Sequence, residues 1–231
     1  MKNYSKFLVL LVFSTFIFAK AKSQEKQEEK INAATQVLKD FGDMKENIPA
    51  ELLKITQGII IVPKLLNGGF VLAAKRGKGI AMVKLADGSW SNPVFVTITG
   101  GSVGLQAGIQ SVDLVLIFKH AETLKNLGTG SFTLGGEISA TAGPVGRSST
   151  ASTDYKMEAE VYSYSRSKGL FAGISLSGSA ISVDKKSNEA FYGKEFTSGE
   201  LFSNDNETDA EEVTALKDEL NDLYKEEEQD N

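Results

Sequence analysis

Between Gly58 and Tyr192 the chain is a succession of short apolar runs interrupted by glycine and other turn residues. The runs are Ile59 to Val62, Gly69 to Ala74, Ile80 to Leu85, Val94 to Thr99, Leu114 to Phe118, Met157 to Tyr164 and Ile174 to Val183. Such spacing suits antiparallel strands and is too short for a helical bundle, and 22 glycines against 4 prolines point the same way. Asp87-Gly88 reads as a tight turn between Leu85 and Trp90, because glycine accepts the positive φ that such turns need. Met157, Ala159 and Val161 alternate with charged neighbours, which marks a strand with one wet face. From Ile174 to Ala180 the alternation is also clean, and it slips phase at Ile181 and Val183, where a bulge fits.

The two ends read differently. Lys2 and Lys6 precede an apolar run from Phe7 to Phe18, and Ala19-Lys20-Ala21 supplies the small residues of a peptidase site. Residues 1–23 therefore read as a secretory signal peptide, cleaved after Ala21 or Ser23. A dozen apolar residues cover roughly 18 Å of helix, short of a hydrocarbon core of roughly 30 Å. In residues 24–47, Ile31, Ala34, Leu38 and Phe41 recur at steps of three and four, which predicts an amphipathic helix docked on the body. Pro49 suits the first turn of a second short helix through about Gln57. Val213, Leu216, Leu220 and Leu223 repeat the spacing inside an acidic segment, read as a loosely attached tail helix within residues 198–231.

Charge and composition remove several function classes. Residues 1–23 carry four lysines and no acid, residues 205–231 carry twelve acids against Lys217 and Lys225, and the stretch between is within one charge of neutral. That lacks the basic surplus by which nucleic-acid binders displace counterions, so no nucleic-acid partner is expected. With no cysteine and the single histidine His120, disulfides, thiol catalysis and multi-histidine metal sites are excluded. No cofactor is expected.

Local motifs that resemble catalytic ones lack their context. Gly100-Gly101-Ser102-Val103-Gly104 matches a nucleophile elbow, and Asp113 and His120 follow in α/β-hydrolase order, but no helix-forming stretch follows the serine. Ser165-Arg166-Ser167-Lys168 has no lysine-threonine-glycine partner. Gly128-Thr129-Gly130 and the glycines around Lys75 to Gly79 lack the spacing of a phosphate loop, and the acids from Asp205 to Glu211 lack that of a calcium loop. What remains is a set of cations on glycine-rich segments: Lys75, Arg76 and Lys78; Arg147; and Arg166 with Lys168, beside Tyr164, Leu170 and Phe171. Cations next to aromatics suit an anionic headgroup at a lipid interface, and scattered surface charge is the bland alternative.

The segments IPAELLKITQGIIIVPKLLNGGFVLAAKRGKG, DGSWSNPVF, GGSVGLQAG, TLGGEISATAGPVGR, YSYSRSKGLFAGISLSG and FYG resemble the SYLF domain, also known as the actin-regulating Las17-binding domain. The resemblance covers roughly residues 48–193, with the motifs in family order. It implies a lipid-binding module and no enzyme: eukaryotic relatives bind phosphoinositides and membranes, some fungal ones bind and bundle actin filaments, and bacterial ones are mostly exported lipid-binding proteins. Tyr162, Tyr164, Arg166, Lys168, Leu170 and Phe171 fall in the family's most characteristic segment, and Lys75, Arg76 and Lys78 match a loop that is often basic. Gly100, Gly101, Gly104, Gly143, Pro144 and Gly146 are assigned to turn geometry and Trp90 to the core.

The resulting expectation is a β-rich α+β chain with antiparallel-rich, sandwich-like sheets, N-terminal helices and an acidic C-terminal helix. Its SYLF-like domain spans residues 48–197. The expected function is non-enzymatic binding of anionic lipid or phosphoinositide-like headgroups at a membrane surface, after export to the periplasm or extracellular space. The alternative is an envelope structural or protein-interaction module, with a protein partner and no lipid. The oligomeric state stays open, since the tail stripe is short for a coiled coil.

Overall fold

The computed structural model describes residues 2–44, 48–143, 158–167, 170–171, 174–197, 200–203 and 208–229. Helix α1 spans Lys2–Gly42, α2 Ala50–Ile55, α3 Ala121–Lys125, α4 Lys185–Tyr192 and α5 Glu211–Gln229. The strands are β1 Gly58–Val83, β2 Val94–Phe118, β3 Ser131–Leu134, β4 Ala140–Ala142, β5 Val161–Ser167, β6 Leu170–Phe171 and β7 Ser179–Val183. All belong to one connected, mostly antiparallel sheet in the order β3-β7-β2-β5-β4, with β1 on β2 and β6 on β5. The α+β, β-rich class is as the sequence predicts.

The glycine-interrupted runs, read as separate short strands, join into two long ones. β1 and β2 pair antiparallel from Gly58↔Phe118 to Ala81↔Val94, and their glycines lie inside the strands. The pairing shifts register between Val62 and Leu65, where Pro63 cannot donate to the ladder and Lys64 takes φ 56°, and again between Gly69 and Val71. β1 also doubles back, so that its two ends run side by side: Lys84 N–H donates to the Gln57 carbonyl. A Cβ at Gly79 would lie 2.4 Å from the Ile61 carbonyl oxygen and one at Gly77 2.6 Å from a Val62 methyl, so only glycine permits this approach. The turn at Asp87-Gly88 forms as expected, with Gly88 at φ 84° and Trp90 buried. The expected bulge near Ile181 is instead a turn at Ser177-Gly178 ahead of β7, with Gly178 at φ 77°.

Both faces of the sheet are covered. On one face Ile31, Ala34, Leu38 and Phe41 of α1 pack with Leu52 and Leu53 of α2, Val213, Leu216 and Leu220 of α5, and Ile61, Phe95, Val115, Ile117, Tyr162 and Tyr164 of the sheet. The other face buries Val62, Leu65, Val96, Leu114, Leu116 and Phe118 against Leu124, Phe132, Leu176 and Phe202. The tail helix is thus firmly docked and not loosely attached, because its apolar stripe completes the core under α1. Lys217 Nζ adds a hydrogen bond to Asn92 Oδ1 at 2.9 Å. Among the described residues, no helix is long and apolar enough to cross a membrane.

Candidate functional site

Strand alternation sorts the cations that sequence reading grouped together. Lys75, Arg76 and Lys78 lie within β1, not on a loop, so neighbours point to opposite faces. Lys75 is buried, its ammonium donates to the Ser175 carbonyl, and burial lowers its pKa. It is a core lysine and not a ligand. Arg76 and Lys78 point to the helical face and are exposed. Tyr162 and Tyr164 are corrected in the same way: both rings sit in the core beneath α1, Tyr164 at 1 % exposure, and burial pushes both hydroxyl pKa values up.

Arg166 also proves structural. It is only 14 % exposed and donates to Asp40 on α1 and, at 2.9 Å, to Asp113 on β2. Burial alone would lower its pKa, but the bonds to these two carboxylates outweigh it and hold the pKa above its ordinary value. Asp113 also accepts the Lys64 backbone N–H at 3.1 Å, so one carboxylate links Arg166 to the β1 bulge. Leu170 is exposed at the sheet edge opposite Ser167. Arg147 and Lys168 lie outside the described residues, as does the side chain of Phe171, whose backbone pairs with Arg166.

The doubling of β1 creates a site that sequence reading saw only in part. Where its two halves meet under α1, a cavity of about 290 Å³ is lined by Lys30 and Ala33 from the helix, Pro63, Lys64 and Leu66 from the bulged half, and Arg76 to Ile80 from the returning half. Four cations therefore surround one opening. Lys30 Nζ bonds Gln27 Oε1 at 2.5 Å and Ser187 Oγ at 3.1 Å, and its pKa is lowered by burial and then by repulsion from Lys78. Lys78 Nζ lies 2.5 Å from Asp184 Oδ2, the one carboxylate bonded to these four side chains among the described residues. Lys64 and Arg76 have no acidic partner there. Cations grouped on a concave surface have the chemistry to receive an anion, each charge-assisted bond to a phosphate being worth about 1.5–3 kcal/mol.

A larger cavity of about 560 Å³ between β7 and α4 presents Lys185 with Glu189 and Glu195, a mixed and slightly acidic lining that does not suit an anion. The elbow reading finds no support in the geometry. The backbone continues as strand β2 through Ser102 with no helix directly after it, His120 Nδ1 pairs with Glu160 at 2.6 Å, and Asp113 is held by Arg166.

Against known proteins, the family model described as Ysc84, "Las17-binding protein actin regulator", matches residues 99–223, more than half of the chain. The chain belongs to this family. Within it, the chain is 36 % identical over 185 residues to LAS seventeen-binding protein 3 of Saccharomyces cerevisiae, covering 79 % of this chain and 40 % of the yeast protein. It is 34 % identical over 209 residues to SH3 domain-containing YSC84-like protein 1 of Xenopus laevis, covering 85 % and 61 %. To the human protein of that name it is 31 % identical over 203 residues, covering 84 % and 59 %. The chain thus spans from about two fifths to three fifths of the length of these relatives. The yeast protein is named for Las17 binding, and the family description adds actin regulation. The matched segment runs from β2 into α5 and holds Asp113 and Arg166, whereas Lys30, Lys64, Arg76 and Lys78 precede it.

Proposed function

We propose that this family member is a non-enzymatic binding protein that takes the anionic headgroup of a phospholipid at a membrane surface, in the cavity between α1 and the doubled β1. The observation that carries the reading is the convergence of Lys30, Lys64, Arg76 and Lys78 on one solvent-open cavity, where Asp184 is the one carboxylate bonded to them among the described residues. Export supports the same reading: the lysines, apolar run and small residues of the first 23 positions have the form of a signal peptide, which delivers the chain to the periplasm or the extracellular space. Intact-mass measurement of the exported protein, expected to begin after Ala21 or Ser23, tests that part.

Co-sedimentation of residues 24–231 with neutral and anionic vesicles, at low and physiological salt, tests the headgroup. Binding is expected with anionic vesicles only and falls as screening shortens to about 8 Å at physiological strength. A second reading is favoured by the yeast relative's name and the family description, which both print Las17 binding: the same cations then meet an acidic protein segment in the cell envelope. A stable complex isolated from envelope extract without lipid, together with failure to bind any vesicle, would decide for it.

A further inference from the structure

Beyond the cavity, β1 and β2 continue as a two-stranded arm from Leu66↔Ser111 outward to Val71↔Gly104 and back to Ala74↔Gly101. Its sequence carries no charge: none occurs from Leu65 to Ala74 in β1, and none from Val94 to Val112 in β2. Exposed strand pairs are ordinarily guarded against association by lysine and other charges. Here Gly108, Ile109, Gln110 and Ser111 are all exposed, so both faces of the ribbon meet solvent, and Ile109 is 84 % and Leu66 51 % exposed. Leu66 pairs with Ser111 and Gly68 with Ile109, and a Cβ built on Gly68 would lie 3.0 Å from Ile109 Cγ1. Leu66 and Ile109 therefore share one face. It is the face of the cavity, since Leu66 lines the opening and Asp113, two residues beyond Ser111, reaches Arg166 under α1.

We infer that this arm is a membrane wedge: Ile109 and Leu66 enter the interfacial layer of an anionic bilayer while Lys64 and Arg76 stay at phosphate level. The inference rests on the headgroup reading and adds an orientation to it. Two features argue for a bilayer as the occupant. The apolar side chains are continuous with Lys64 and Arg76, which have no acidic partner among the described residues, and this matches a surface whose anionic layer lies directly above its hydrocarbon. The uncharged ribbon can also enter that layer without desolvating an ion.

The absence of cysteine makes the test direct, because Ile109→Cys is then the sole labelling site. The full exported chain, labelled at position 109 with an environment-sensitive nitrobenzoxadiazole dye, is mixed with phosphatidylcholine vesicles with and without phosphatidylglycerol. The inference expects a several-fold brighter, blue-shifted signal with anionic vesicles only, quenched by nitroxides on the lipid chains. Ile109→Asp should weaken vesicle binding by about ten- to a hundredfold, the effect of withdrawing one buried isoleucine, while leaving binding of soluble glycerol phosphate unchanged. If the protein floats with anionic vesicles and the dye stays in water, the wedge is wrong and the headgroup reading stands. If glycerol phosphate binds but no vesicle does, the cavity serves a free anion and the wedge falls with the lipid. If neither binds, both readings fall.

Discussion

Arg166 of β5 forms an ion pair with Asp40 of α1, and through Asp113 the same guanidinium reaches the bulge that presents Lys64. One side chain thus ties a wall of the cavity, the first helix, to the strand that supplies three of its four cations. Arg166 stacks over Phe41 as well, 5.9 Å from the ring centroid. Its role is to position the site, not to touch what enters it.

Replacing Arg166 with leucine should therefore cost stability first. Two partly buried carboxylates lose their partner, which costs about 3–5 kcal/mol in a fully buried pair and about 2 kcal/mol with the exposure seen here. Urea unfolding measures it. Asp40→Asn should recover part of the loss in an Arg166→Leu background, because one stranded charge is removed; a deeper loss would contradict the assignment.

Asp184 caps α4, accepting Ser187 N–H at 3.2 Å and Ser187 Oγ–H at 2.8 Å. Burial would raise its pKa, but the bonds to Lys78 and Ser187 outweigh it and hold it below the usual carboxylate value. A depressed carboxylate adds stability that is present above its unfolded pKa of about 4 and is lost as pH falls through its folded pKa. Asp184→Ala should cost about 1 kcal/mol at neutral pH. Its urea midpoint should then approach that of the parent as the pH is lowered below about 4, and a gap that persists in acid would contradict the capping role.

Gly79→Ala sets a methyl group against a backbone carbonyl that cannot move aside, so about 1–3 kcal/mol of overpacking is expected. Gly130→Ala, where the added Cβ meets nothing within 4 Å, should be close to neutral. Thermal unfolding of the two variants compares them directly, and equal losses would show that the two halves of β1 are not closely apposed.

A chain ending at residue 210 loses Val213, Leu216 and Leu220 from the core beneath α1. At about 1.5–3 kcal/mol for each buried side chain, the loss rivals the whole stability of an ordinary domain. The expected outcome is loss of cooperative unfolding by circular dichroism. A truncated protein that melts like the parent would make the tail a loose appendage after all.

How much of this was legible follows from where the information sits. The stripe Ile31, Ala34, Leu38 and Phe41 is local, so its helix and its buried face could be read directly; the stripe of α5 could too, although its docking could not, since its partner lies some 180 residues earlier. The strands were visible as apolar runs. Their continuity was not, because a glycine that marks a turn and one that lets two strand segments approach closely look alike in sequence. Treating Lys75 to Gly79 as a loop erased the two-residue period that buries Lys75 and exposes Arg76 and Lys78. Tyr162 and Tyr164 were drawn toward the surface by the company of Arg166, which is itself folded inward by Asp40. Lys30 and Lys64 carried no local signal at all: they join Arg76 and Lys78 only because β1 doubles back beneath α1.

The central claim is that the basic cavity holds an anionic lipid headgroup, and charge reversal inside it is the most direct test. Flotation of residues 24–231 with phosphatidylglycerol-containing vesicles at low salt should be abolished by combining Lys64→Glu with Arg76→Glu, two exposed residues whose replacement is expected to leave thermal unfolding unchanged. Equal flotation of the parent and the double variant would contradict the account.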